Sequence, residues 1–244
     1  MSTSPEDPGG PAALALAIRL GIVFDLDGTL IDSRLDIAAA ANHALAICGF
    51  SQLAADEIAG FVGDGARLLL ARAARLAPEA PQLEPLLAAF LDYYAAHATD
   101  HTELLPGAHE ALAALRHLPL ALCTNKPRST TDAVLANLRL PAEFQVVVAG
   151  GDLPQIKPHP LPLQHIAQRL GLSTAELVMV GDGPQDILCA KAAGSRSVGV
   201  EGGIQARDRL IASNPDVLLR SLAELPRLVA SWLGEPTSST GLSP

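Results

Sequence analysis

Two rhythms of apolar residues divide this chain. One is a set of short continuous runs, at Gly21 to Phe24, Pro119 to Cys123, Val146 to Ala149, Leu177 to Val180 and Ser197 to Val200. Such runs, closed by turn-forming residues, predict buried strands. The other is the spacing of amphipathic helices, which predicts helices over 108–116, 129–138, 160–170, 185–193 and 221–233. Strands alternating with helices predict a parallel sheet covered on both faces, a doubly wound α/β core.

The segment from 33 to 103 follows the helical rhythm alone. Leu35, Ile37, Ala38, Ala41, Leu45 and Cys48 form a stripe that stops at Gly49, and the pattern returns over 66–76 and 83–98, with Pro78 and Pro81 between. This predicts an α-helical cap over 33–103, inserted into a core made of 19–32 and 104–233. The stretches 1–18 and 234–244, rich in Pro, Gly and Ser, are expected to be flexible tails.

The first strand runs into Asp25-Leu26-Asp27-Gly28-Thr29-Leu30. Ligands of open α/β sheets sit beyond the carboxyl ends of the strands. Two acids separated by one residue at that edge can hold a divalent cation and divide the work of nucleophile and proton carrier. An isolated Asp-x-Asp-Gly is more often an ordinary solvated turn. The later strand ends argue otherwise. They deliver Thr124-Asn125-Lys126-Pro127, then Lys157-Pro158-His159-Pro160, then Gly181-Asp182-Gly183-Pro184-Gln185-Asp186. Each has a plain reading as a cap, a surface lysine or a first helical turn, but together they bring hydroxyl, ammonium and carboxylate groups to one edge.

Composition narrows the choice of chemistry. A net charge of -9 argues against nucleic acid or an anionic membrane as partner. Cys48, Cys123 and Cys189 are far apart and odd in number, which suggests neither a disulfide framework nor a zinc site and fits a reducing, cytoplasmic setting. Glu6 and Asp7 precede the short apolar piece at 12–18, so a basic leader is not expected there. No run approaches the roughly 18 apolar residues of a membrane span. Only three of the 17 cationic residues are lysines: Lys126, Lys157 and Lys191. Two of the three fall at strand ends on the proposed edge. An ammonium meets a phosphate oxygen as a compact point charge, which a guanidinium fork does not reproduce.

These four motifs, D-L-D-G-T-L, T-N-K-P, K-P-H-P and G-D-G-P-Q-D, resemble those of the haloacid dehalogenase superfamily, in its phosphatase branch with a helical cap of the first type. The resemblance runs from about residue 21 to 233. Gly183 departs from it, since relatives often carry Ser or Thr there, while both flanking acids are kept. The resemblance implies a Mg²⁺-dependent phosphomonoester hydrolase working through an aspartyl-phosphate. It implies Asp25 as nucleophile and Asp27 as general acid and base. Asp25, the Asp27 main-chain carbonyl, Asp182 and Asp186 would hold the metal, and Thr124, Asn125 and Lys157 the phosphoryl group.

Other activities of the fold fit less well. A dehalogenase needs no second acid at Asp27, and a phosphonatase needs a cap lysine, which 33–103 lacks. A receiver-type signalling domain is shorter, with adjacent acids. A phosphosugar mutase of the β-phosphoglucomutase kind shares the acid pair and the cap. Specificity is expected in the cap. Its Val62-Gly63-Asp64-Gly65-Ala66-Arg67 is similar to the cap turn of bacterial phosphoglycolate phosphatases, as is Leu105-Pro106-Gly107-Ala108-His109 running toward the second motif. A helix N-terminus at Gly65 together with Arg67 would then read a substrate carboxylate. A tight helix–helix turn explains the same glycines. The expected partner is a small phosphorylated metabolite: 2-phosphoglycolate, or else a sugar phosphate or N-acetylmuramic acid 6-phosphate. Either a monomer or a homodimer is compatible with the sequence.

Overall fold

The computed structural model describes residues 19–140 and 144–234. The expected tails lie outside these residues, apart from Gly234. In chain order the elements are β1 (Gly21–Phe24), β2 (Ile31–Asp32), α1 (Arg34–Ile47), α2 (Ala55–Ala59), α3 (Ala66–Ala74), α4 (Leu83–Ala96) and β3 (Glu103–Leu104). Then follow α5 (Ala108–Leu115), β4 (Leu120–Pro127), α6 (Arg128–Asn137), β5 (Val146–Gly150), α7 (Leu161–Leu170), β6 (Leu177–Gly181), α8 (Pro184–Ala193), β7 (Arg196–Val200), α9 (Arg207–Ala212), β8 (Val217–Leu219) and α10 (Leu225–Leu233).

Six strands form one sheet in the order β5-β4-β1-β6-β7-β8, with every pairing parallel. β1 is fully buried from Gly21 to Phe24 because both neighbours and both faces are covered. That explains why its sequence is a continuous apolar run rather than an alternating one. The chain builds outward from β1 on one side, to β4 and β5, then returns to lay β6, β7 and β8 on the other. β1 therefore lies at the reversal of strand order, where a parallel sheet opens a crevice at its carboxyl edge.

The helices α1 to α4 lie between β2 and β3 in sequence, and these two short strands pair antiparallel, Ile31 with Leu104 and Asp32 with Glu103. α1 packs on α2 and α4, and α4 reaches α6 of the sheet layer. One apolar cluster runs through both parts, from Ile37, Leu70, Leu86 and Phe90 to Ile22, Phe24 and Val180. The Asp36 carboxylate, in the first turn of α1, is buried and accepts from His101 N and Nδ1 and from Thr102 N and Oγ1, at 2.7–3.1 Å. Burial works against its charge, but these donors hold it below the ordinary carboxylate range. The start of the helical segment is thereby clamped to its end. Among the described residues no helix is long and apolar enough to cross a membrane.

β4 extends further than its apolar run. Its register against β5 breaks between Cys123–Val148 and Pro127–Gly150, four steps along β4 against two along β5. The surplus residues, Thr124 to Lys126, leave the regular ladder, the behaviour of a bulge that re-aims side chains at a strand end.

Candidate active site

The carboxyl edge assembles two clusters around the turn after β1. Asp25 is still tied to the sheet, its N–H donating to the Val180 carbonyl at 2.9 Å. The chain then reverses at Gly28, whose φ is 85°. A side chain there would bring a Cβ within 2.2 Å of Asp182 Oδ2. The glycine supplies both the left-handed backbone and the clearance that let the turn lie against a carboxylate.

The first cluster is acidic. Asp25, Asp182 and Asp186 are buried, each with a carboxylate oxygen within 4.8 Å of the others. Asp186, in the first turn of α8, accepts from the Gly183 N–H at 3.1 Å. Asp182 Oδ2 accepts from the N–H groups of Ile204 and Gln205 at 2.8 and 3.0 Å. Its Oδ1 is buried without a partner among the described residues. Lys157 Nζ lies 2.8 Å from Asp25 Oδ1 and 2.6 Å from Asp186 Oδ1.

One ammonium among three carboxylates leaves the cluster electron-rich. Burial, then the charge of Asp186, push the Asp25 carboxyl up to about 7 against the pull of Lys157. Burial, then Asp25 and Asp186, push Asp182 well above the carboxylate range. Burial alone would pull Lys157 down, but Asp186 and Asp25 hold it above its ordinary value. The orphan Asp182 oxygen and the surplus of hard oxygen donors suit a divalent cation of the Mg²⁺ type.

The second cluster surrounds Asp27. Its Oδ1 accepts from Ser33 Oγ at 2.6 Å and from Lys126 Nζ at 2.9 Å. Lys126 also donates to the Tyr94 hydroxyl, from α4, and its Nζ stands 4.2 Å from the centre of that ring. Lys126 and Tyr94 are both buried. Burial pulls the Lys126 ammonium below its ordinary range, with Asp27 opposing. Burial, then the charges of Asp27 and Asp36, raise the Tyr94 phenol, so it stays protonated.

Between the clusters lies a cavity of about 40 Å³, lined from the sheet side by Asp25, Asp27, Thr124, Asn125 and Lys126. A water needs roughly 10–15 Å³ by this measure, so the space is narrow. Its other wall is apolar, formed by Ile37, Val62, Leu69 and Phe90 beside Gly63 and Gly65. A larger cavity of about 280 Å³ between Thr29 and Arg220 is lined by none of Asp25, Asp27, Asp182 and Asp186.

The sequence-expected residues meet here with two changes of role. Asn125 spends its amide donors on Gly63 O and Lys157 O, at 2.9 and 2.8 Å, and its Oδ1 accepts from Lys157 N. It fastens the helical segment to the loop that carries Lys157 and has no side-chain donor left for a phosphoryl oxygen. Arg67 points elsewhere in this structure. Its guanidinium donates to Pro78 O and to Glu84 Oε1, at 3.0 and 2.9 Å, on an exposed face. It is not among the cavity-lining residues, whereas Gly65 is. The glycine turn itself is a contact point. Besides accepting from Asn125 at Gly63, it meets Gln205, which donates to Val62 O. Arg72 braces this turn through Asp64 at 2.6 Å.

The sequence reading missed Ser33 and Tyr94 and gave Lys126 no assigned role. The scarcity of lysine had placed Lys126 at the right edge. Nothing local marks Ser33 or Tyr94, because their partner Asp27–Lys126 is assembled from distant segments. His159 accepts from Leu161 N at 3.1 Å and serves the start of α7.

Residues 22–200 match the family model described as haloacid dehalogenase-like hydrolase. The phosphoglycolate phosphatase of Pectobacterium atrosepticum is 37% identical over 218 residues, covering 87% of this chain and 93% of its own. That of Neisseria meningitidis serogroup A is 38% identical over 213 residues, covering 84% and 91%. The crystal structure of a predicted phosphoglycolate phosphatase from Haemophilus somnus superposes with a TM-score of 0.80 at 28% identity, covering 88% of this chain and 99% of that one.

Proposed function

The chain belongs to the haloacid dehalogenase-like hydrolases, and from that membership and the site we infer a phosphatase that hydrolyses 2-phosphoglycolate with Mg²⁺ through an aspartyl-phosphate. The observation that carries the mechanism is the unequal environment of two neighbouring acids. Asp25 faces Lys157 and two further carboxylates, while Asp27 faces Ser33 and Lys126. Asp25 stands within the cation-binding cluster and Asp27 apart from it, which suits the two acids to different roles.

In this reading Asp25 attacks phosphorus. The phosphorus–ester oxygen bond breaks, and the leaving alkoxide takes the proton that Asp27 carries. Asp27 then removes a proton from water, which attacks the same phosphorus and frees Asp25. Thr124 and Lys157 face the transferring oxygens, and Lys157 offsets negative charge at the nucleophile. Asp25, Asp182, Asp186 and the Asp27 carbonyl would hold Mg²⁺, which supplies positive charge where the phosphoryl group passes. The helices α1 to α4 act as the cap, which excludes water by closing an apolar wall over the cavity.

The narrow cavity and the likeness to phosphoglycolate phosphatases support 2-phosphoglycolate over a hexose phosphate. A turnover screen with Mg²⁺ over 2-phosphoglycolate, ethyl phosphate and glucose 6-phosphate tests this. The highest kcat/KM is expected for 2-phosphoglycolate. Preference for the hexose phosphate would remove the substrate assignment, and inactivity on all phosphomonoesters would remove the phosphatase reading.

A further inference from the structure

The outward turn of Arg67 leaves the carboxylate of the proposed substrate without its expected reader. The substrate's own dimensions say where a reader must stand. In 2-phosphoglycolate a single methylene separates the ester oxygen from the carboxylate carbon. The ester oxygen lies against Asp27, which protonates it. The carboxylate therefore lies in the immediate neighbourhood of Asp27, on the side away from Asp25.

Among the described residues lining the cavity, Lys126 is the one cation there. Its Nζ stands 2.9 Å from Asp27 Oδ1. An ammonium has three N–H donors. Both Asp27 oxygens, at 2.9 and 3.3 Å, and the Tyr94 hydroxyl accept from it, so a ligand carboxylate would take over the longer Asp27 contact. The Tyr94 oxygen accepts from Lys126, which turns the phenol hydrogen away from the ammonium. The rest of that wall is Ile37, Val62, Ala66, Leu69 and Phe90, whose side chains offer no polar atom to an anion, beside Gly63 and Gly65. A carboxylate lodged among these groups without a charged donor would be strongly disfavoured.

We propose that Lys126 and Tyr94 together read the substrate carboxylate, making this pair the specificity determinant for a short phosphorylated hydroxy acid. The assignment rests on the phosphoglycolate reading above and gives it a residue basis. It also joins two segments, since Lys126 comes from the bulged end of β4 and Tyr94 from α4 of the cap. Recognition then requires the cap to be closed, because neither residue completes the pair alone.

The test compares kcat/KM for 2-phosphoglycolate with that for ethyl phosphate, which replaces the carboxylate by a methyl group. The ratio of the two is measured for wild type, Tyr94→Phe and Lys126→Met, each checked for folding by circular dichroism. A defect in cap packing or in the Asp27 environment lowers both rates and leaves the ratio alone. Loss of a carboxylate reader lowers the ratio, by about tenfold to a hundredfold for Lys126→Met and about threefold to tenfold for Tyr94→Phe. A ratio within twofold of wild type in either folded variant overturns the assignment. A wild-type ratio near unity would instead overturn the phosphoglycolate reading on which it rests.

Discussion

At the scale of single residues, the sharpest contrast is between Asp25 and Arg67. Asp25 has no substitute in the acidic cluster. Asp25→Asn should lower kcat by at least about a thousandfold, since an amide is not a nucleophile toward phosphorus. Turnover within tenfold of wild type, with deamidation excluded by mass spectrometry, would remove it from that role. Arg67→Met, by contrast, breaks one exposed ion pair with Glu84. Such pairs contribute roughly 0–1 kcal/mol, so kcat/KM for 2-phosphoglycolate should change by less than about twofold. Three of the four motifs place their chemistry within a few residues of a strand end, where the sequence shows it; Lys157 stands seven residues beyond β5. The direction of Arg67 is set by Glu84 and Pro78, which local spacing does not reveal. The acidic cluster also has a pH signature. The folded value of about 7 for Asp25 lies above the ordinary 3.8, so without metal the native state holds a proton that the unfolded chain releases. That stabilisation is complete below about pH 3.8 and is lost as pH rises through about 7. Asp182 is shifted in the same direction. In chelator, the thermal midpoint should therefore be lower at pH 8 than at pH 6. A midpoint that rises over this interval would contradict the burial of uncompensated acids.

At the scale of elements, helix and strand periodicity located the large pieces, and the structure shifts their ends by only a few residues. The misses are short or irregular. α2 has five residues and β8 three, too few for either rhythm to register. β4 was read as ending at Cys123 because its apolar run ends there, yet it continues as a bulge to Pro127. Pairing with β5 sets that extension, and pairing is not a local property. The clamp at Asp36 was equally silent, since its partners lie 65 and 66 residues away. Asp36→Ala should cost about 2–4 kcal/mol in urea unfolding, because it removes a buried carboxylate and strands the donors of His101 and Thr102. The folded acid is held below its ordinary value, so its contribution is present above about pH 4 and is lost as pH falls further. A loss under 0.5 kcal/mol at neutral pH would mean that water replaces the carboxylate at no cost.

For the whole molecule, metal and fold are linked through the same carboxylates. Mg²⁺ bound only by the native state raises stability by RT ln(1 + [Mg²⁺]/Kd), about 2.7 kcal/mol at a hundredfold excess over Kd. The thermal midpoint at pH 8 should therefore rise with Mg²⁺, and Asp182→Asn should weaken that response. Activity should vanish in chelator and return on adding Mg²⁺. A midpoint insensitive to Mg²⁺ would argue against a metal in this cluster. The run of helices α1 to α4 between β2 and β3 was readable as a change of rhythm. Its contacts with the sheet layer were not, because those of Asn125, Gln205 and Tyr94 join segments far apart in sequence.

The paired strands β2 and β3 have a mechanical consequence. The chain leaves the sheet and comes back along two adjacent strands, joined at Ile31–Leu104 and Asp32–Glu103, with Leu105 N–H bonded to Leu30 O at 2.9 Å. Such a ribbon bends across its face but resists sliding or spreading within its plane. It would work like the leather strap of a box lid, which lets the lid swing on one axis and denies it sideways play. A helical segment that swung on it would return α4 to the same seat over β4. A reader split between lid and box needs that fidelity, because a phenol that landed one residue off its ammonium would greet each substrate as a stranger.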